Sequence, residues 1–310
     1  MYQAATSKAL RLRRKAARKA RVALATALVA AGLVAPPSVA GLVAPPAHAA
    51  TTTNPPIVVN WNGDWGDLDP NDGVCDASAA TSVDCTLRAA IEVANARTGP
   101  DEIDFSVREA FRDPATGVAT IKPDSELPAI TAPVKIDGYT QQGAQENTLL
   151  KGTNAKIKIE LDGTNVTALN HQSGLQLIGS SGSVIRGLVI NRFQTGIVLE
   201  EGTVNNRIEG NFIGTDPTGT QALGNDYGLY LLASGNTIGG TTPASRNVIS
   251  GNDDVGIYVG AGEGNRCLAT SSAPTRAAPV PLATTSTGWA WPTSPRATGS
   301  VTAPRRGPTP

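Results

Sequence analysis

Histidine is almost missing from this chain of 310 residues, occurring only at His48 and His171. So few leave little room for histidine-based nucleophilic catalysis or for a Cys/His zinc site. No G-x-S-x-G elbow is present, so a lone His171 has no triad to join and is read as a loop residue. Acidic residues are missing from both ends. Residues 1–49 carry eight basic side chains and residues 267–310 carry four Arg, with no Asp or Glu in either segment. The zero net charge therefore hides a middle, 50–266, with 14 basic and 26 acidic groups. A folded part this acidic excludes a nucleic-acid partner, since neutralising phosphates needs clustered Lys and Arg. Only 4% of residues are aromatic.

The basic residues of the first segment, Lys8 through Arg21, precede an apolar stretch at 22–34, and Ala47, His48 and Ala49 supply a small-residue cleavage site. This is the pattern of a secretory signal peptide covering 1–49, cut between Ala49 and Ala50. Its apolar stretch is shorter than the roughly 20 residues a membrane-spanning helix needs. No later segment reads as a span, so none is expected after signal cleavage. Export to an oxidising compartment favours a bond between Cys75 and Cys85 over the alternative of two unpaired buried thiols, leaving Cys267 over. A bridge over so short a loop stabilises by roughly 2–3 kcal/mol.

Past the leader, PIVVN at 56–60 reads as a short strand. Residues 86–97 (TLRAAIEVANAR) give the one convincing helix. Asp84 or Thr86 can cap it, Leu87, Ile91 and Ala94 share a face, and Gly99 with Pro100 ends it. From Ile103 onward, helix signals vanish. Runs of three to six residues rich in Ile, Val and Leu recur, each followed by Gly, Asn or Asp: VKIDG, IELDG, LQLIG, IRGLVI, GIVL, RIEGNFIG, GLYLL, NTIGG, NVISGN and GIYVG. Gly196, Gly228 and Gly256 open copies of one motif, spaced 32 and 28 residues apart. Asn206, Asn236 and Asn247 open copies of another.

Self-similarity at such periods means a repeat architecture. Strands this short bury their faces only if each turn of a coil stacks about 4.8 Å from the next, lining inward aliphatic residues into columns. Gly and Asn tolerate the sharp corners, and stacked Asn can bond along the column. A horseshoe would need regular leucines and outer helices, and a propeller would need Trp or Gly-His signatures. Neither is present. The expected fold is all-β, a right-handed parallel β-helix solenoid with one N-terminal capping helix. Its parts are a cap at 50–102 holding the disulfide loop and helix, coils at 103–266, and a tail at 267–310.

Two stretches carry a resemblance. Asp72, Gly73, Val74, Cys75 and Asp76, followed by CTLRAAIE at 85–92, resemble the CSLREA-type N-terminal motif of secreted bacterial proteins, with Thr86 for its Ser and Ala89 for its Glu. Residues 121–260 resemble the right-handed parallel β-helix repeat proteins of the pectin-lyase-like superfamily. The resemblance implies a secreted or cell-surface β-helix, often part of a longer modular protein. The tail at 267–310 is either disordered or out of frame. Reading each triplet from the previous codon's last base, the codons allowed for 269–291 can spell a further copy of the 211–226 segment. A frameshift near Cys267 is the resulting expectation.

The superfamily contains polysaccharide lyases and glycoside hydrolases, which makes the carboxylates candidates. Glycoside hydrolysis uses two carboxyls roughly 5–9.5 Å apart. Asp253 and Asp254 are the weak catalytic candidates, without the Gly-His-Gly and Arg-x-Lys partners of polygalacturonase-like enzymes. Asp137 and Asp162 end strands and read as turn residues. Asp67, Asp69 and Asp72, with Asn71, form the densest oxygen cluster and the weak metal candidates, for which calcium is the fitting ion. The loop departs from the EF-hand pattern, with Asp72 at the glycine position and Ser78 at the bidentate position. Asn165 begins a glycosylation sequon.

The expected role is structural, adhesive or carbohydrate-contacting, at a polysaccharide or cell-envelope surface. The alternative is a polysaccharide-active enzyme, lyase or hydrolase. An enzyme predicts a dense acid–base cluster on one outer sheet with a groove above it, whereas a non-catalytic stalk or adhesin predicts no such cluster.

Overall fold

The computed structural model describes residues 54–78, 83–167 and 172–268. The expected signal peptide with its expected cut between Ala49 and Ala50, His171, and the tail beyond Leu268 lie outside the described residues. The described residues form one helix, three short helical turns and sixteen short strands, all of whose strand-to-strand ladders are parallel. The opening elements are β1 (Ile57–Val59), α1 (Leu87–Ala96), β2 (Asp101–Phe105), β3 (Ala119–Ile121), β4 (Val134–Asp137) and β5 (Ile159–Asp162). They are followed by β6 (Ser173–Leu177), β7 (Val184–Arg186), β8 (Leu188–Asn191), β9 (Thr195–Leu199) and β10 (Arg207–Glu209). The last are β11 (Phe212–Ile213), β12 (Tyr227–Leu231), β13 (Thr237–Gly239), β14 (Val248–Ile249), β15 (Val255–Val259) and β16 (Arg266–Leu268).

The strands sort into three sheets. Sheet A runs β1-β2-β4-β7-β10-β13-β16, sheet B runs β3-β5-β8-β11-β14, and sheet C runs β6-β9-β12-β15. From β4 onward the chain visits A, B and C in strict rotation. The rotation explains the repeats. The GIVL, GLYL and GIYV copies fall on β9, β12 and β15, successive strands of sheet C.

Register turns the aliphatic runs into columns. In sheet A, Ile57, Ile103, Ile136, Ile185, Ile208 and Ile238 lie opposite one another in succession, and Cys267 completes the line. Ile121, Leu161, Ile190, Ile213 and Ile249 do the same in sheet B. Sheet C contributes Leu175, Ile197, Leu229 and Ile257. All but the half-buried Cys267 are buried, and they belong to one continuous apolar core. The sequence-derived boundary at 266 cuts through β16, because Cys267 and Leu268 pair with Ile238 and Gly239.

Glycine sets how closely strands approach in sheet C. A Cβ on Gly196 would stand 2.6 Å from the Gly228 carbonyl oxygen, and one on Gly228 would stand 2.4 Å from that of Gly256. Only hydrogen fits between backbones at that distance.

Asparagine ladders hold the corners. Asn236 Oδ1 accepts from Asn206 N at 3.0 Å, and Asn265 Oδ1 accepts from Asn236 N at 2.9 Å. Asn211 N donates to Asn247 Oδ1 at 2.9 Å, and Asn225 N to Asn252 Oδ1 at 3.2 Å. Asn247 therefore stacks on Asn211, before sheet B, and not on the Asn206 and Asn236 with which its sequence motif grouped it. Both corners need a small amide, so local sequence does not separate them.

Helix α1 starts where Thr86 accepts from the Ala89 amide, so Thr86 and not Asp84 is its cap. Asp84 instead pairs with Arg108. Leu87, Ala90, Ile91 and Ala94 of the helix are buried in the same core as the strands, against β1 and β2. Cys75 and Cys85 are joined with their Cα atoms 5.2 Å apart, just before the helix. Among the described residues no helix is long and apolar enough to cross a membrane.

Candidate functional site

The outer face of sheet C carries the surface most suited to a ligand. Register places Ser173, Thr195, Tyr227 and Val255 in one row, and Gln176, Val198, Tyr230 and Tyr258 in the next. The rings of Tyr230 and Tyr258 stack with centroids 4.7 Å apart and planes at 27°. Tyr227 meets both edge-on, at 5.7 and 6.0 Å. The pleat forces the stacking of Tyr230 on Tyr258, because the same backbone position on neighbouring parallel strands must present its side chain to the same side.

Beside the tyrosines lies a cavity of about 310 Å³ lined by Gln172, Gln176, Gln194, Val198, Glu200 and Tyr230, among others. Gln176 donates to Glu200 at 3.1 Å, holding both polar groups at one margin. A second, more polar cavity of about 320 Å³ shares Gln172 and Gln194 and adds Arg192, Asp226 and Asp253. Asp254 bonds the Tyr227 hydroxyl and holds that phenol above its ordinary pKa. Arg192, in the left-handed region at φ 59, is committed to Asp162 at 2.9 Å.

Charge clusters densely elsewhere, on the side of sheet A opposite its isoleucine column. Asp104, Asp137, Arg186 and Glu209 lie in register on successive strands. Lys135 bridges Glu102 at 2.6 Å and Asp137 at 3.0 Å, while Arg186 reaches Asp137 at 3.6 Å and pairs with Glu146. Arg207 bonds Glu209 at 2.6 Å. Burial would lower the Lys135 pKa, but its hydrogen bonds to Glu102 and Asp137 outweigh that and raise it. Asp104 lacks such a partner. Its Oδ1 is buried with no hydrogen bond, and desolvation, reinforced by the Glu102 charge, pushes its carboxyl up.

The sequence candidates fall as follows. Asp253 and Asp254 stand exposed in the turn before β15, close to Asp226, and Asp253 lines the second cavity with it. Asp67, Asp69 and Asp72 spend their carboxylates on their own loop. Asp67 accepts from the Asp69 and Asp76 amides at 3.0 and 2.9 Å, Asp69 from the Asn71 amide at 3.2 Å, and Asp72 from the Val74 amide at 2.7 Å. Among the described residues no group of three or more His, Cys, Asp or Glu converges to hold a metal ion. Asp137 and Asp162 do turn their strand ends, accepting from the Tyr139 and Thr164 amides at 3.0 Å each. Sequence reasoning passed over the tyrosines. Their signal was present in the aligned GLYL and GIYV motifs, which put Tyr230 opposite Tyr258.

No protein-family model matches the chain, and no curated protein matches it either.

Proposed function

We propose that this protein is a secreted or cell-surface right-handed parallel β-helix of the pectin-lyase-like type, serving a structural or adhesive role by contacting carbohydrate along sheet C. The strict rotation of strands through three parallel sheets supports the coil. The Cys75–Cys85 disulfide supports export, since such bonds persist in oxidising compartments. The observation that carries the carbohydrate reading is the cluster of Tyr227, Tyr230 and Tyr258 beside an amide-lined groove. Flat rings offer apolar area to the C–H faces of a sugar, and Gln side chains both donate to and accept from its hydroxyls.

A polysaccharide lyase or hydrolase is the second reading. Asp226 and Asp253 line one polar cavity, which favours it. Against it, the dense acid–base cluster sits on sheet A, while the first cavity sits on sheet C and the second at the turns that lead into sheet C. An enzyme needs cluster and groove together.

One incubation with insoluble cell-envelope polysaccharide separates the outcomes. The protein is expected to be retained without releasing new reducing or unsaturated ends. The Tyr230→Ala, Tyr258→Ala double variant is expected to wash through. Equal retention of the double variant overturns the glycan-contact reading, and release of chain ends establishes the enzyme.

A further inference from the structure

We infer that the sheet C groove takes a linear, uncharged glycan laid across the strands, one sugar ring per strand, and rejects polyuronates. This rests on the glycan-contact reading and names its ligand class. The spacing argues for the direction. Neighbouring strands lie about 4.8 Å apart, close to the length of one pyranose unit. A chain running from β6 to β15 therefore meets Gln176, Val198, Tyr230 and Tyr258 in turn, each at the same position on its strand. It passes from an amide, through an aliphatic side chain, onto two stacked rings. Laid along a single strand, it would meet only one of these four.

Charge argues for the class. Asp226, Asp253 and Asp254 crowd the margin where β12 and β15 begin, and Glu200 stands on the opposite margin, just past the end of β9. The one cation lining either cavity, Arg192, is already held by Asp162. A polymer bearing a carboxylate on every ring would bring like charges toward the acidic groups on both margins of the groove, with no available cation to offset them. A neutral chain avoids that cost, and its hydroxyls can donate to these carboxylates.

The test titrates the full chain calorimetrically with cellohexaose, mannohexaose and hexagalacturonate. At least one neutral hexasaccharide is expected to bind, with hexagalacturonate about tenfold weaker or worse. A variant carrying Asp226→Asn, Asp253→Asn and Asp254→Asn, all at exposed positions, is expected to bind hexagalacturonate about tenfold better than the parent. Hexagalacturonate binding the parent as tightly as the neutral chains overturns the ligand class, as does a triple variant with no gain. Those results leave glycan contact standing. Binding of none of the three overturns both the ligand class and the glycan-contact reading.

Discussion

Single side chains in this protein carry unequal consequences, and the buried polar ones weigh most. Asn236 is fully buried, and its Oδ1 accepts from both the backbone and the side chain of Asn206. Asn236→Ala strands those donors, and each orphaned buried group costs about 1–3 kcal/mol. A loss near 3 kcal/mol is expected, read as a fall in thermal midpoint of roughly 10 °C. Asp104 runs the other way. Its carboxyl is raised from 3.8, so the folded state prefers it protonated. Its contribution favours folding below the unfolded value and is lost as pH rises through the folded one. Asp104→Asn is therefore expected to melt higher than the parent at pH 7, with the difference closing as the pH falls through the raised folded value toward 3.8 and gone below it. Melting curves across that range check it, and a variant melting lower at pH 7 refutes the sign. The asparagine corners were readable in the chain because Asn before a β-branched run has a local reason to be there. The isolation of Asp104 was not, because it depends on strands β2 and β4 meeting in one register.

Elements divide in the same manner. Helix α1 was legible to within a residue at each end, since Thr86 supplies a local cap and Leu87, Ile91 and Ala94 fall on one face. Most strands were legible too, as aliphatic runs closed by Gly or Asn. Strands β3 and β16 were not. Ala119–Ile121 holds one large aliphatic residue, and Arg266–Leu268 lacks the β-branched pattern altogether. Both are strands because a neighbouring strand offers them a parallel ladder. The helix bears a testable role. Its buried face joins the core beside β1, the edge strand of sheet A, so we propose that it closes that end of the stack. Ile91 is 1% exposed. Ile91→Asp places an unpaired charge in the core, and loss of cooperative unfolding together with aggregation is expected. Scanning calorimetry and light scattering decide it, and a soluble, cooperative variant refutes the capping role.

At the scale of the whole assembly of sheets, two chemically distinct faces emerge. Sheet A carries paired acids and bases, whereas sheet C carries tyrosines, amides and a carboxylate rim. Because the strands rotate through the sheets, strands β10 and β12, which carry Glu209 and Tyr227, lie in different sheets. The two faces should therefore act independently, and Asp104→Asn is expected to leave retention on polysaccharide unchanged. The order of aliphatic runs and turn residues in the chain was enough to specify short parallel strands, apolar columns, one capped helix and a disulfide. The strands and helix follow from hydrophobicity and turn preference over a few residues, the columns from the repeat of similar runs about thirty residues apart, and the disulfide from export. That Asn247 stacks on Asn211, that Tyr227 joins Tyr230 and Tyr258, and that the groove lies away from the densest charge were settled only by the tertiary structure. Those depend on loop lengths that bring each strand beside another about thirty residues distant, and no local preference encodes that distance.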